Sequence, residues 1–188
     1  MGVDTHGRWP WAAAASVLPA WAAVAGRRAE VATHDRWVAA LAFPILVSHQ
    51  TEEWVRPGGF LPFCNQELLG SDRADWPLTE RIAFHVNITA GWGTAIAAVA
   101  LWSRTPAPAA VVLWMEAGNA AMHVGTAVRT RSYNPGVATA ALLMAPHAVA
   151  GAVAISRSRR LTRRGKLLAF AGGLAFASLP VAMTLRMR

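Results

Sequence analysis

Long apolar stretches are the feature that most constrains the fold of this chain. A helix that crosses a bilayer needs about 20 mostly apolar residues. Six stretches approach that length: 9–26, 37–55, 80–102, 106–128, 136–156 and 167–185. Only 15% of the 188 residues are charged, whereas roughly a quarter is typical of soluble proteins. The pattern predicts a single all-α domain, a polytopic membrane helical bundle with about six transmembrane helices in the cell membrane.

The net charge of +8 does not indicate nucleic acid as a partner. The basic residues lie between the apolar stretches rather than along one amphipathic face, which is the pattern of membrane-protein loops. The single cysteine, Cys64, excludes a disulfide framework and a Cys-based zinc site. We therefore expect membrane lipid and a hydrophobic small molecule as partners.

The distribution of basic residues predicts an orientation. Ten of the 18 Lys and Arg residues fall on one side of the alternating stretches, six of them in 157–166. The positive-inside rule places that side in the cytoplasm, so both termini and the 56–79 loop are predicted to lie outside. The first stretch is also compatible with a secretory signal, because Ala23-Val24-Ala25 resembles a cleavage site. We favour a retained helix, since its start carries only Arg8.

Polar residues divide the stretches into a core and a periphery. The first and sixth carry no charged residue in their interiors, so they are predicted to pack outside a four-helix core formed by the other four. This divides the single domain into a peripheral N-terminal helix (1–35), a core (36–156), and a basic loop with a peripheral C-terminal helix (157–188).

Ionisable residues inside the core stretches predict a functional site, because charged groups in a membrane cost several kcal/mol. His49, Glu52 and Glu53 point to one helix face. Glu116, Asn119 and His123 form a second stripe, and the third stretch adds His85 and Asn87. Counting residues places the three histidines His49, His85 and His123 roughly 7 to 9 Å below the outer edge and Glu116 roughly 18 Å deep. His147 fits a ligand and a packing residue equally well.

Three motifs resemble those of a known family of membrane proteins, the HXXEE family. The motif that names it reads His49-Gln50-Thr51-Glu52-Glu53, and the family's further histidine matches His123. Its YXPG motif reads Tyr133-Asn134-Pro135-Gly136, and the segment 54–60 is similar to the sequence that usually comes after the first motif in the family. The resemblance covers roughly residues 36–156. It implies a site shared within the family, whose function is unknown, and it implies no particular reaction.

Histidines with carboxylates are suited to a divalent metal ion such as Zn, Fe or Mn. The predicted ligands are His49, Glu52, Glu53, Glu116 and His123, and the predicted catalytic residues are Glu53, Glu116 and His85. We expect these ligands to converge beneath the 56–79 loop, in a metal-dependent enzyme acting on a lipid-like or isoprenoid substrate.

Alternative functions stay open at this point. A metal-free isomerase or terpene-cyclase-like enzyme could use a protonated Glu and a His for acid–base catalysis. A small transporter or proton-coupled carrier is less expected, because no inverted repeat is evident. Structural interpretations also stay open: Glu52 and Glu53 could extend to the membrane surface, and Asn119 could join helices by hydrogen bonds. The YXPG segment is typical of a turn.

Overall fold

The computed structural model describes residues 7–33 and 35–185, with side chains described up to Ser178. These residues form an all-helical fold that contains no strand. The predicted positions of the two chain ends fall outside the described residues. We number the helices in chain order: α1 (Trp9–Gly26), α2 (Arg28–Val31), α3 (Trp37–Ala40), α4 (Ala42–Trp54), α5 (60–68), α6 (Glu80–Leu101), α7 (Ala107–Thr130), α8 (Val137–Arg157) and α9 (Arg163–Leu185).

The predicted stretches agree with the long helices to within a few residues. The second stretch is divided at Leu41 into α3 and α4. The sixth begins earlier than predicted, because the Thr162 hydroxyl accepts a hydrogen bond from the Gly165 backbone N–H and caps a basic first turn. Thr79 caps α6 in the same way, accepting from Ile82.

Helix α7 lies at the centre of the fold and packs against α6, α8 and α9. Its Ala109, Val112 and Leu113 belong to an alanine-rich core that is closed to solvent. Gly151 of α8 faces Leu113, and an added Cβ at this glycine would lie 2.4 Å from Leu113 Cδ2. Small residues therefore set how closely the neighbouring helices approach α7.

Helix α1 packs along α4. The Trp9 and Trp54 rings meet edge to face with centroids 5.1 Å apart, and the Trp21 indole donates to the Ser48 hydroxyl at 3.0 Å. These two contacts join α1 to α4 at two different points along their length.

Helix α9 is mostly exposed over its described residues, but it packs tightly against α7. Its Gly173 backbone contacts α7 so closely that an added Cβ would lie 2.4 Å from Trp114 Cβ, and Gly118 of α7 is similarly close to Ala177. This contact brings Phe176 and Ala177 to the wall of the pocket that also contains Glu53. The sixth stretch is thus exposed along most of its described length, but its small residues allow it to reach the wall of this pocket.

Two helices, Glu80–Leu101 and Val137–Arg157, are long and apolar enough to cross a membrane, as judged over the described part of the chain. Of the residues in the most apolar window of each helix, 28% and 33% respectively are buried inside the fold. Length and composition thus indicate membrane association, and six crossings stay a prediction.

Candidate metal centre

Three buried side chains from two helices meet in one group. His49 and Glu53 lie one turn apart on α4, and His123 comes from α7. Glu53 Oε1 lies 3.1 Å from His123 Nε2 and 3.4 Å from His49 Nε2. One ligand atom from each residue lies within 4.8 Å of the other two. The exposed fractions are 1% for His49, 4% for Glu53 and 0% for His123, so this group could hold a metal ion away from bulk solvent.

The hydrogen bonds of Thr139 determine which nitrogen of His49 carries the proton. The Thr139 hydroxyl lies 2.5 Å from Glu52 Oε2 and donates to it, because a carboxylate accepts only. The same oxygen therefore accepts from His49 Nδ1 at 2.9 Å. With its proton on Nδ1, the neutral imidazole has a lone pair on Nε2, an atom for which no described residue supplies a hydrogen-bond partner.

Asn134 fixes His123 in the same tautomer. Its amide nitrogen donates to the His123 backbone carbonyl at 2.9 Å, which orients the amide group. Its side-chain oxygen then lies 2.8 Å from His123 Nδ1 and accepts from it. The His123 Nε2 lone pair consequently faces Glu53.

The three facing atoms are therefore all electron-pair donors. The two neutral imidazole nitrogens and the carboxylate oxygen repel one another unless a positive charge lies between them. A metal ion supplies that charge, and so does one proton taken up by either histidine. In metal sites, a histidine ligand typically donates its other ring N–H to a neighbouring residue, which sets its tautomer.

Glu52 was predicted to be a metal ligand, but the structure gives it other partners. Its Oε1 accepts from the Tyr133 hydroxyl at 2.8 Å and from the Ala138 N–H at 3.0 Å. Its Oε2 accepts from the Thr139 N–H at 2.7 Å as well as from the Thr139 hydroxyl. The two N–H groups belong to the first turn of α8, where a negative charge is favoured. Glu52 thus caps α8 and orients His49 through Thr139.

The YXPG segment covers the centre in addition to forming a turn. Gly136 has a φ of +100°. A Cβ at this position would lie 2.7 Å from His123 Cε1, 2.8 Å from His49 Cε1 and 2.9 Å from Glu53 Cγ. Only a glycine backbone fits against the three side chains.

Tyr133 of the same segment stays protonated over the ordinary pH range. Partial burial and the hydrogen bond to Glu52 raise the pKa of Tyr133 to about 12. The phenol is therefore a neutral hydrogen-bond donor to Glu52 throughout that pH range. Helical spacing did not predict the contacts that Asn134 and Thr139 make with the two histidines. The YXPG motif indicated the segment that contains Asn134, and Thr139 lies three residues beyond it.

Glu116 was also predicted to be a ligand, but it lies outside the group. Its Oε2 is 2.6 Å from His147 Nδ1 on α8. His147 Nε2 donates to the Val38 carbonyl at 3.1 Å. Glu116 and His147 are both buried and form a second pair, so His147 has a carboxylate partner that sequence reasoning left open.

His85 and Asn87 both lie on α6 but differ in their exposure to solvent. His85 is exposed, with Nδ1 3.4 Å from the Thr89 hydroxyl, and it is not part of the ligand group. Asn87 accepts from the buried Gln50 amide at 3.0 Å, while the Trp92 indole donates to Gln50 at 2.8 Å. The second residue of the HXXEE motif thus links α4 to α6. The predicted catalytic role of His85 stays a prediction.

A pocket of about 160 Å³ lies beside Glu53. Most of its wall is apolar, and its polar residues are Glu53, Asn87 and Asn119. Cys64 is also at the wall, where burial raises the pKa of the thiol to about 12, so it stays a neutral thiol. The apolar wall includes these six residues: Leu46, Phe60, Val86, Met115, Met122 and Phe176.

The comparisons with known proteins agree with the motif assignment. The model of a family described as "Protein of unknown function with HXXEE motif" matches residues 37–150. No curated protein and no solved structure matches the chain. The matched region includes His49, Glu53 and His123 together with the YXPG segment, and it extends over more than half of the sequence. The chain therefore belongs to the HXXEE family.

Proposed function

We propose that this chain is an integral membrane enzyme that binds a divalent metal ion between His49, Glu53 and His123 and acts on a lipid-like or isoprenoid substrate. One observation carries the proposal. Thr139 and Asn134 hold both histidines with their Nε2 atoms facing the Glu53 carboxylate, an arrangement that a metal ion between them would stabilise.

The ligand types limit which metals are suitable. Two imidazoles and one carboxylate match catalytic zinc sites, which leave a further position for water or substrate. The same set is used by non-haem iron, and carboxylates also suit manganese. When bound, such an ion acts as a Lewis acid and activates water. The protein's own residues orient the ligands, and the Gly136 backbone lies against all three of them.

The pocket beside Glu53 supports an apolar substrate. A cavity of about 150 Å³ lined by apolar residues accommodates a molecule of benzene's size, so the pocket of about 160 Å³ has room for one short branched or cyclic hydrocarbon unit. A longer substrate would extend beyond it along α9. The apolar wall favours a prenyl or acyl unit over a charged metabolite.

The surface of the fold supports a membrane location. Large apolar side chains face outward on several helices, including Leu18, Ile96, Leu142, Val149 and Leu167. Many exposed large apolar side chains are costly in water when they lie together, and they are normal in lipid. We therefore propose six crossings with the 157–166 segment in the cytoplasm and both termini outside.

Elemental analysis of detergent-purified protein tests the metal. We expect about one metal ion per chain, and its loss in His49→Ala and His123→Ala. His85→Ala is the matched control, because His85 lies outside the ligand group, and it should retain the metal. Metal-free protein after purification with added Zn, Fe and Mn would refute the metal centre. A lipid comparison of cells with and without the protein would then identify the substrate.

Metal-free acid–base catalysis is the second candidate, and one observation favours it. His123 Nε2 and Glu53 Oε1 are at hydrogen-bond distance, 3.1 Å, beside the apolar pocket. A proton between them would give an acid and a base for an isomerase or a terpene-cyclase-like reaction. Activity that depends on Glu53 in demonstrably metal-free protein would favour this candidate over the first.

A further inference from the structure

A groove distinct from the metal centre lies between α1 and the helices beside it. It has a volume of about 290 Å³ and is formed by α1, α2, α3, α4 and the end of α6. Its apolar wall includes Ala23, Val24, Ala40, Phe43 and Val99. Neither His49 nor Glu53 lines it. The groove is therefore a separate candidate binding site.

Charged side chains lie at one end of this groove. Arg27, Glu30 and Arg36 all line it. Arg36 is paired with Glu30, whereas Arg27 is exposed and forms no ion pair with any residue that the structure describes. One positive charge at the groove is thus left uncompensated.

The same end of the molecule carries the densest positive charge of the chain. Trp102 lines the groove, and the Arg160 guanidinium lies 5.0 Å above its ring centre and donates to its backbone carbonyl. The connecting segments 27–36, 103–105 and 157–166 contain ten of the 18 basic residues and only two acidic ones, Glu30 and Asp35. The field around the charged end of the groove is therefore strongly positive.

We propose that this groove binds an anionic phospholipid, with an acyl chain along its apolar wall and the phosphate group at Arg27. Both parts of such a lipid match the site. Hydrocarbon is favoured between Ala23 and Phe43, and each basic residue near a membrane surface attracts an anionic headgroup by about 1 kcal/mol. A zwitterionic lipid would fill the apolar part equally well and gain little from the charged end.

Two pairs of adjacent residues, one within α1 and one at the junction of α1 and α2, offer matched variants for the test. Arg27 lines the groove and Arg28 does not, although both are exposed. Ala23 lines it and Ala22 does not, and both are also exposed. The pairs are Arg27→Gln with Arg28→Gln, and Ala23→Phe with Ala22→Phe. Each control has the same change of charge or volume without entering the groove.

The experiment measures lipid retained by the full-length protein in detergent, by native mass spectrometry. The probes are phosphatidylglycerol, phosphatidylcholine with identical acyl chains, and inorganic phosphate. We expect phosphatidylglycerol to be preferred, with Arg27→Gln lowering its retention about fivefold and Arg28→Gln leaving it unchanged. Ala23→Phe should lower retention of both lipids, whereas Ala22→Phe should not.

Three results would overturn the proposal. Equal retention of the two lipids would show that the charged end does not select a headgroup. Equal effects of Arg27→Gln and Arg28→Gln would show a diffuse positive surface instead of a site. Binding of inorganic phosphate through Arg27 without a preference for phosphatidylglycerol would show a free-anion site. Unchanged thermal unfolding of the four variants ensures that each result reports on binding.

Discussion

Asn134 holds His123 from two directions. Its side-chain oxygen accepts from His123 Nδ1 at 2.8 Å, and its amide nitrogen donates to the His123 backbone carbonyl at 2.9 Å. Because both contacts come from one amide group, the imidazole is fixed both in its tautomer and in its orientation. Asn134 lies in the loop between α7 and α8, so the loop controls how His123 presents its Nε2 atom.

Asn134→Ala is expected to weaken metal binding by about 10- to 100-fold, the usual cost of losing a partner behind a histidine ligand. Without Asn134 the ring of His123 can rotate and exchange tautomers. Titration of metal against a competing chelator would measure the change. Ser132→Ala is the control, because Ser132 is exposed and bonds to Thr130. Equal affinities of the Asn134 variant and the native protein would contradict the role of Asn134.

Gly136→Ala is expected to destabilise the fold and to abolish metal binding. The φ of +100° disfavours any residue with a Cβ, and the new methyl group would contact both histidines. Together these effects should lower the free energy of unfolding by about 2 kcal/mol or more.

Gly125→Ala provides the comparison for the Gly136 variant. Gly125 lies within α7, and nothing is within 4 Å of the position of its Cβ, so alanine there should be neutral or stabilising by up to about 1 kcal/mol. Unfolding curves in detergent would distinguish the two variants. A Gly136→Ala protein as stable as native would show that the segment can move away from the centre.

Tyr133→Phe is expected to lower metal affinity modestly, by about fivefold, because one neutral hydrogen bond contributes about 1 kcal/mol. Glu52 keeps three other donors in this variant. Since the pKa of Tyr133 is raised to about 12, its hydroxyl stays protonated, and the ratio of native to variant affinity should not change between about pH 7 and pH 9. A ratio that changes over this range would show that Tyr133 ionises and would contradict its role as a neutral donor.

The sequence was sufficient to predict the long helices and the shared face of His49 and Glu53, because both follow from local periodicity. Residues one turn apart on α4, such as His49 and Glu53, must share a face. His123 was identified by its depth and by the family motif. The contacts that Asn134 and Thr139 make with the histidines depend on how the YXPG segment folds over the helices. Helical spacing contains no information on that fold.

Glu116 shows why a shared face does not imply a shared site. Glu116 and His123 point in nearly the same direction from α7, but seven residues separate them by roughly 10 Å along the helix axis. Metal–ligand bonds near 2 Å cannot span that distance. The approach of α9 is not predicted for another reason: hydropathy counts Gly173 only as a member of an apolar stretch, whereas its small size decides the packing.

The Glu116–His147 pair makes the last prediction, because its proton count is fixed. The Val38 carbonyl can only accept, so His147 Nε2 carries a proton. The contact of 2.6 Å between His147 Nδ1 and Glu116 Oε2 must then contain one further proton. Glu116→Gln can supply that proton from its amide, so the variant should lose about 1 kcal/mol of stability or less. Glu116→Leu leaves His147 Nδ1 buried without a partner and should cost about 2 to 3 kcal/mol.

Both Glu116 variants should retain the metal, since the structure places Glu116 outside the ligand group. Thermal unfolding and elemental analysis of the same samples would check the two expectations together. A folded Glu116→Gln protein that has lost its metal would return Glu116 to the centre, as its position on the helix face predicts. Equal stability of the Gln and Leu variants would show that the proton between Glu116 and His147 does not contribute to the fold.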